Sequence, residues 1–187
     1  MLTIKGVIAR GFMYLCRIFP INNKVVFSSF DGKNFGDDPK AIFDEMIKQG
    51  IETEYIWLLD DIKFDVPENV KLVKAFSILA IYHLATAKVW VDNCRKHAWT
   101  VKRKGQYYIQ TWHSSVGGVG IKKVEKDAED FLPKPYIEAA INDSKMADLF
   151  ISGSAWITQY YKDAFWYSGK ILECGNPVAD NYFKNVD

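Results

Sequence analysis

Short apolar runs alternate along the chain with longer stretches that mix apolar and polar positions. KVVFSSF (24–30), EYIWLL (54–59), VKLV (70–73), KVWVDN (88–93), YYIQTW (107–112), LFIS (149–152) and KILEC (170–174) are rich in β-branched and aromatic residues, the pattern of buried strands. PKAIFDEMIKQG (39–50) reads as a helix, with Pro39 at a tolerated first position and Gly50 as a stop. Ser77 stands as an N-cap before ILAIYHLATA, and Ser154 before AWITQYYKDAFW. This alternation predicts an α/β fold, a Rossmann-like, mostly parallel, doubly wound sheet covered on both faces. The segment joining 88–93 to 107–112 is short and basic, so that pair is read as a hairpin or an irregular crossover.

The first 23 residues, MLTIKGVIARGFMYLCRIFPINN, predict a helix ending before Pro20. Ile4, Ile8, Leu15 and Phe19 fall along one side, with Arg10 and Arg17 roughly opposite. Lys5, Arg10 and Arg17 interrupt every apolar run before it reaches the roughly 18–20 residues that span a bilayer. No small-residue cleavage site follows, so a signal peptide is not expected. A basic amphipathic helix either lies in a membrane interface or packs on its own domain through the same apolar face. Residues 1–23 are accordingly treated as a helix and candidate anchor, ahead of a Rossmann-like domain over 24–187.

Composition narrows the classes. The 187 residues are 49% hydrophobic and 25% charged, which suits one globular domain and excludes disorder. A net charge of +1 provides no whole-protein field for nucleic acid, and none is expected as a partner. Between Asp92 and Glu125 there is no carboxylate, while Arg95, Lys96, Lys102, Arg103, Lys104, Lys122 and Lys123 occur. That interval is an anion-attracting surface or a face balanced by acids elsewhere. Cys16, Cys94 and Cys174 form no C-x-x-C pair, and His83, His97 and His113 lack metal-ligand spacing, so neither metal nor cofactor is expected.

Ligands of open α/β sheets bind outside the carboxyl ends of the strands. Three loops there are unusual: DGKNFGDDP (31–39), HSSVGGVGIKK (113–123) and GNPVADNYF (175–183). Asp37 or Asp38 is expected to cap the helix near Pro39 and leave its N–H groups facing the rim. His113 ends a strand, where an imidazole is held in place yet accessible as a general base. Gly117, Gly118 and Gly120 allow a nest of N–H groups for phosphate, and Lys122 and Lys123 supply cations.

KVVFSSFDGKNFGDDPKAIFDEM, LATAKVWVDN, RKGQYYIQTWH and ECGNPVADNYF, in this order and spacing, resemble the CDP-glycerol glycerophosphotransferase family, which makes or extends polyol-phosphate polymers such as wall teichoic acid. YIQTWH is the most specific of these matches, and the similarity runs from about residue 24 to the end. The resemblance implies the N-terminal, acceptor-side half of a GT-B-like architecture, peripheral to the cytoplasmic membrane face. It further implies CDP-glycerol or CDP-ribitol as donor, bound largely by a C-terminal donor-binding domain absent from this chain. A lipid-linked acceptor and an anionic membrane surface are the implied partners. His113 matches the family histidine that takes the acceptor's proton. Asp37, Asp38, Ser114, Asn176 and Asp180 fall at or beside family motifs and are candidate substrate contacts, together with Gly117, Gly118, Lys122 and Lys123. Two departures stand out: Ser114, Ser115 and Val116 replace the family's Gly-Thr-Pro after the histidine, and Val178 replaces an arginine. They fit a divergent branch with another donor or acceptor, such as one in capsule synthesis. Two further readings stand beside this one: a catalytically silent module binding membrane or anionic polymer, and half of a nucleotide-sugar glycosyltransferase.

Overall fold

The structure, a computed structural model, describes residues 2–113 and 132–183. Seven strands form one sheet: β1 (Asn22–Ser28), β2 (Glu54–Leu59), β3 (Val70–Lys74), β4 (Ala87–Asp92), β5 (Tyr107–Gln110), β6 (Leu149–Ser152) and β7 (Lys170–Glu173). Their order is β3-β2-β1-β4-β5-β6-β7 and every pairing is parallel. The helices are α1 (Ile4–Leu15), α2 (Asp37–Lys48), α3 (Ile78–Thr86), α4 (Lys134–Met146), α5 (Ala155–Ala164) and the short α6 (Asp180–Phe183). Both serine caps form, Ser77 Oγ accepting from the Ala80 N–H and Ser154 Oγ from that of Ile157.

Alternate residues of β1 serve two cores. Val25 and Phe27 face α2 in a cluster with Phe43, Tyr55 and Trp57, where the Phe27 and Trp57 rings stack 5.4 Å apart. Val26 faces the other way, with Ile56, Trp90 and Met13. Many of the aromatic rings are therefore core.

One open alternative is decided and two sequence expectations are corrected. β4 and β5 are parallel, Trp90 lying opposite Tyr108, so their connection is the irregular crossover and not a hairpin. The connection between them has no helix and is held by side chains, Gln106 Nε2 donating to the carbonyls of Leu84 and Ala87. Asp37 and Asp38 do not cap α2: Gly36 occupies the cap position, and the two aspartates form the first turn. The first helix does pack on the domain, but through Gly6, Met13 and the adjoining Cys16, leaving Ile4, Ile8, Leu15 and Phe19 exposed. α4 had no counterpart in the sequence reading. Its buried positions include Asp143 and Ser144, so it lacks the apolar stripe that marks an amphipathic helix.

A buried polar pair lies near the start of β1. Lys24 Nζ is 3.2 Å from His83 Nδ1. Burial, aided by the charges of Lys24 and Lys71, lowers the His83 pKa to about 4 from 6.5. The unfolded chain takes up this proton at the higher pH, so His83 contributes stability above 6.5 that is lost as the pH falls towards 4. The loss is about 3 kcal/mol. His83→Leu is expected to flatten that part of the pH dependence in urea titrations; a wild-type-to-variant difference independent of pH would contradict it.

Candidate active site

The strand order reverses direction between β1 and β4, and at the carboxyl end of this switch point stands Asn93. Its amide donates to Ser29 Oγ and Asp37 Oδ2, while its Oδ1 accepts the Phe30 N–H at 2.8 Å. One fully buried side chain thus ties together the loops after β1 and β4.

The Asn93 backbone carbonyl lies 2.6 Å from His113 Nδ1. A carbonyl can only accept, so Nδ1 carries the proton and the Nε2 lone pair is left available. Trp112 sets the ring's direction. Its backbone is left-handed, with φ 59°, and its N–H donates to Gln110 Oε1 at 2.8 Å. Its indole lies 4.6 Å from the imidazole and 4.8 Å from Phe165, with the Arg95 guanidinium 4.7 Å from its centre. Phe30, Asp31, Asp37, Phe76 and Trp112 are the described non-glycine residues with positive φ, and all follow the carboxyl ends of strands. Such conformations cost about 1–3 kcal/mol each and cluster where function over-determines the backbone.

Asp37, Asp38, His113 and Asn176 line a recess of about 110 Å³, completed by Thr111, Tyr161 and neighbouring apolar groups. Asp38 Oδ1 accepts the Val178 N–H at 2.8 Å, binding the turn Pro177–Ala179 to α2. Burial pushes the Asp38 pKa up to about 6, with that N–H opposing the rise and the Asp37 charge adding to it. Asp180 is exposed and does not line the recess. Ser114, Gly117, Gly118, Lys122 and Lys123 lie outside the described residues.

Cys94 Sγ is 3.8 Å from His113 Nδ1, which raises the question of a cysteine–histidine nucleophile. Burial, reinforced by Asp92 and Asp31, pushes the Cys94 thiol up to about 12, so it is protonated at neutral pH. The Nδ1 proton is also directed at a carbonyl. The exposed Nε2 is the group able to accept a proton from a substrate.

Among the described residues of the basic segment, two lysines are paired with carboxylates and two arginines bond neutral oxygens. Lys96 pairs with Asp92, Lys102 with Asp148, and Arg103 Nη1 donates to the Phe19 carbonyl at 2.9 Å. Arg95 donates to the Tyr136 hydroxyl at 3.0 Å. Among the described residues, no three His, Cys, Asp or Glu side chains converge as a metal site. The sequence reading missed Asn93, although the strand-end rule that singled out His113 applies equally to KVWVDN.

A family model described as CDP-glycerol:poly(glycerophosphate) glycerophosphotransferase matches residues 12–187. The teichoic acid poly(glycerol phosphate) polymerase of Bacillus spizizenii is 31% identical over 173 residues, 87% of this chain and 43% of that protein. The teichoic acid glycerol-phosphate transferase of Staphylococcus aureus is 30% identical over 169 residues, 86% of this chain and 42% of that protein. Among solved structures, a histidine-to-alanine variant of the wall teichoic acid polymerase TagF superposes with a TM-score of 0.81 at 29% identity, over 95% of this chain and 45% of that one. A TagF variant soaked with CDPG gives 0.78 at 28% identity, over 93% and 46%. The chain thus spans less than half the length of these relatives.

Proposed function

The chain belongs to the CDP-glycerol:poly(glycerophosphate) glycerophosphotransferase family, and from that premise we propose that it forms the acceptor-side half of a polyol-phosphate transferase. The donor in this reading is CDP-glycerol or CDP-ribitol, held mainly by a C-terminal domain outside this chain. The acceptor is a lipid-linked teichoic acid or capsular polymer at the cytoplasmic face of the membrane. The observation that carries the reading is the His113 imidazole, its Nδ1 proton held by the Asn93 carbonyl and its ring exposed at the rim.

Nε2 takes the proton of the acceptor hydroxyl as its oxygen attacks the β-phosphorus of the donor. The new O–P bond forms in line with the bond that breaks, and CMP leaves with that electron pair. The imidazolium so formed keeps its Nδ1–H on the Asn93 carbonyl. Charge on the phosphate oxygens is met by Lys122, Lys123 and the N–H groups near Gly117 and Gly118, with Ser114, Asn176 and the Asp37–Asp38 turn shaping the substrate's approach. The ¹⁵N NMR spectrum of the neutral His113 ring is expected to show the Nδ1–H tautomer. The Nε2–H tautomer would take the base out of this account.

The reading places α1 on the membrane. No described helix is long and apolar enough to cross one. Yet Ile4 and Ile18 are 80% and 75% exposed, Val7, Ile8 and Leu15 line the same side, and no carboxylate precedes Asp31. This face presents apolar area flanked by Lys5 and Arg17, complementary to anionic lipid. Arg10 is turned inward, donating to the carbonyls of Ala98 and Trp99, and fixes the helix to the domain. Ile8→Glu with Leu15→Glu is expected to cut sedimentation with phosphatidylglycerol vesicles by about tenfold or more while leaving the fold intact, since both side chains are exposed. Undiminished binding would remove α1 from the membrane.

A further inference from the structure

A second recess opens on the same rim, on the β2–β3 side of the switch point, and the chemistry at His113 does not use it. Its mouth is formed by Asp31, Phe76, His97 and Trp99, and deeper in, apolar Leu58, Ala75 and Leu84 stand beside the buried Asp92–Lys96 pair, Ser28 and Thr100. His97 Nε2 is 3.7 Å from Asp31 Oδ1. The Phe76 ring stands edge-on to His97 at 4.9 Å, and the Trp99 ring lies parallel to His97 at 6.1 Å. Phe76 is 52% exposed although it is a large apolar residue, and its φ is 59°. Asp31, with φ 57°, is held in the same costly region. Two residues with strained backbones, one bearing an unburied ring and one a carboxylate beside an imidazole, thus stand at the mouth of one recess. Core packing explains neither.

The recess also lies between the two parts that the transfer reading needs. Phe30, next to Asp31, places its ring 5.5 Å from the His113 imidazole. On the far wall, the Trp99 carbonyl is bound by Arg10 of α1, the helix with the exposed apolar face. A chain running from the membrane to His113 along this rim passes over Phe76 and Asp31. The enclosed volume is small, about 30 Å³, so the site grips the edge of a ligand lying across it and does not engulf it.

We propose that Asp31, Phe76, His97 and Trp99 form an acceptor subsite for a hydroxyl-rich unit, a polyol or sugar, set back from the hydroxyl that reacts. Asp31 accepts hydrogen bonds from the hydroxyls, His97 is the polar group beside it, and the rings of Phe76 and Trp99 cover the C–H edge. The identification of the ligand as acceptor rests on the transferase reading; the binding chemistry does not.

The test is NMR titration of the chain with a synthetic glycerol-phosphate trimer, following the His97 ring and Trp99 indole signals. The trimer is expected to shift both signals. Phe76→Ala and Asp31→Asn should each weaken its affinity about tenfold, whereas His113→Ala should change it by less than about twofold. Asparagine tolerates the left-handed backbone at position 31, so the second variant stays informative should the first disturb the fold. Trimer binding indifferent to both substitutions, or absent in the wild type, overturns the subsite. A parallel CMP-release assay on the longest form of the protein separates the two readings. With turnover intact, an unchanged acceptor KM in Phe76→Ala sinks the subsite alone. Absence of turnover sinks the transferase reading and leaves the titration to decide the subsite.

Discussion

Replacing His113 with alanine is expected to lower polyol-phosphate transfer by the longest form of the protein about 10²–10⁴-fold, the usual range for a general base. The proton leaves the acceptor hydroxyl only as the O–P bond forms, so kcat and kcat/KM should fall together while KM stays nearly constant. The Asn93 carbonyl 2.6 Å from Nδ1 gives the base its direction. Cys94 is the control. Its thiol, pushed up to about 12, keeps its proton at neutral pH and cannot act as a base, so Cys94→Ala should leave transfer within about threefold. A His113→Ala loss smaller than about tenfold would reject the role.

Lys96→Met is expected to destabilise the fold by about 3–5 kcal/mol at pH 8, the usual consequence of removing one partner of a buried ion pair. The side chains of Lys96 and Asp92 are only 7% and 3% exposed, and the Asp92 carboxylate also accepts the Cys94 N–H at 2.9 Å. Burial pushes the Asp92 pKa up and the Lys96 charge opposes it. Without the lysine that pKa rises further, so the penalty grows with pH as Asp92 is forced to ionise and shrinks in acid. Adding Asp92→Asn to Lys96→Met should recover part of the loss. The Asp92 carbonyl accepts the Thr111 N–H at 2.9 Å, so the damage would spread to the rim that carries His113. Urea titration at two pH values checks this; a penalty below about 1 kcal/mol would contradict it.

The strands were legible because each is a short apolar run, and the caps of α3 and α5 because serine there has one local role. His113 was legible for the same reason: a polar residue ending an apolar strand marks the rim. α1 shows where pattern reading stops. Its inward face is built from Gly6, Met13 and the adjoining Cys16 and its outward face from larger aliphatics, and periodicity alone does not say which of two apolar sides meets the domain. Placing the cap at Asp37 or Asp38 missed Gly36 by one or two residues, within the ordinary scatter of such boundaries. The basic interval left two readings open for a tertiary reason, since Asp148, partner of Lys102, lies far along the chain. The link from Asn93 to His113 runs through a backbone carbonyl, which no side-chain motif records.

With His113 on the acceptor side of a transferase using CDP-polyol donors, the deciding assay is CMP release from CDP-glycerol and CDP-ribitol by the longest form of the protein, with and without a lipid-linked glycerol-phosphate acceptor. CMP release from at least one of the two donors, dependent on the acceptor, is the expected result. Turnover of nucleotide sugars in place of CDP-polyols, or no CMP from either donor while vesicles or anionic polymer are still bound, would contradict it.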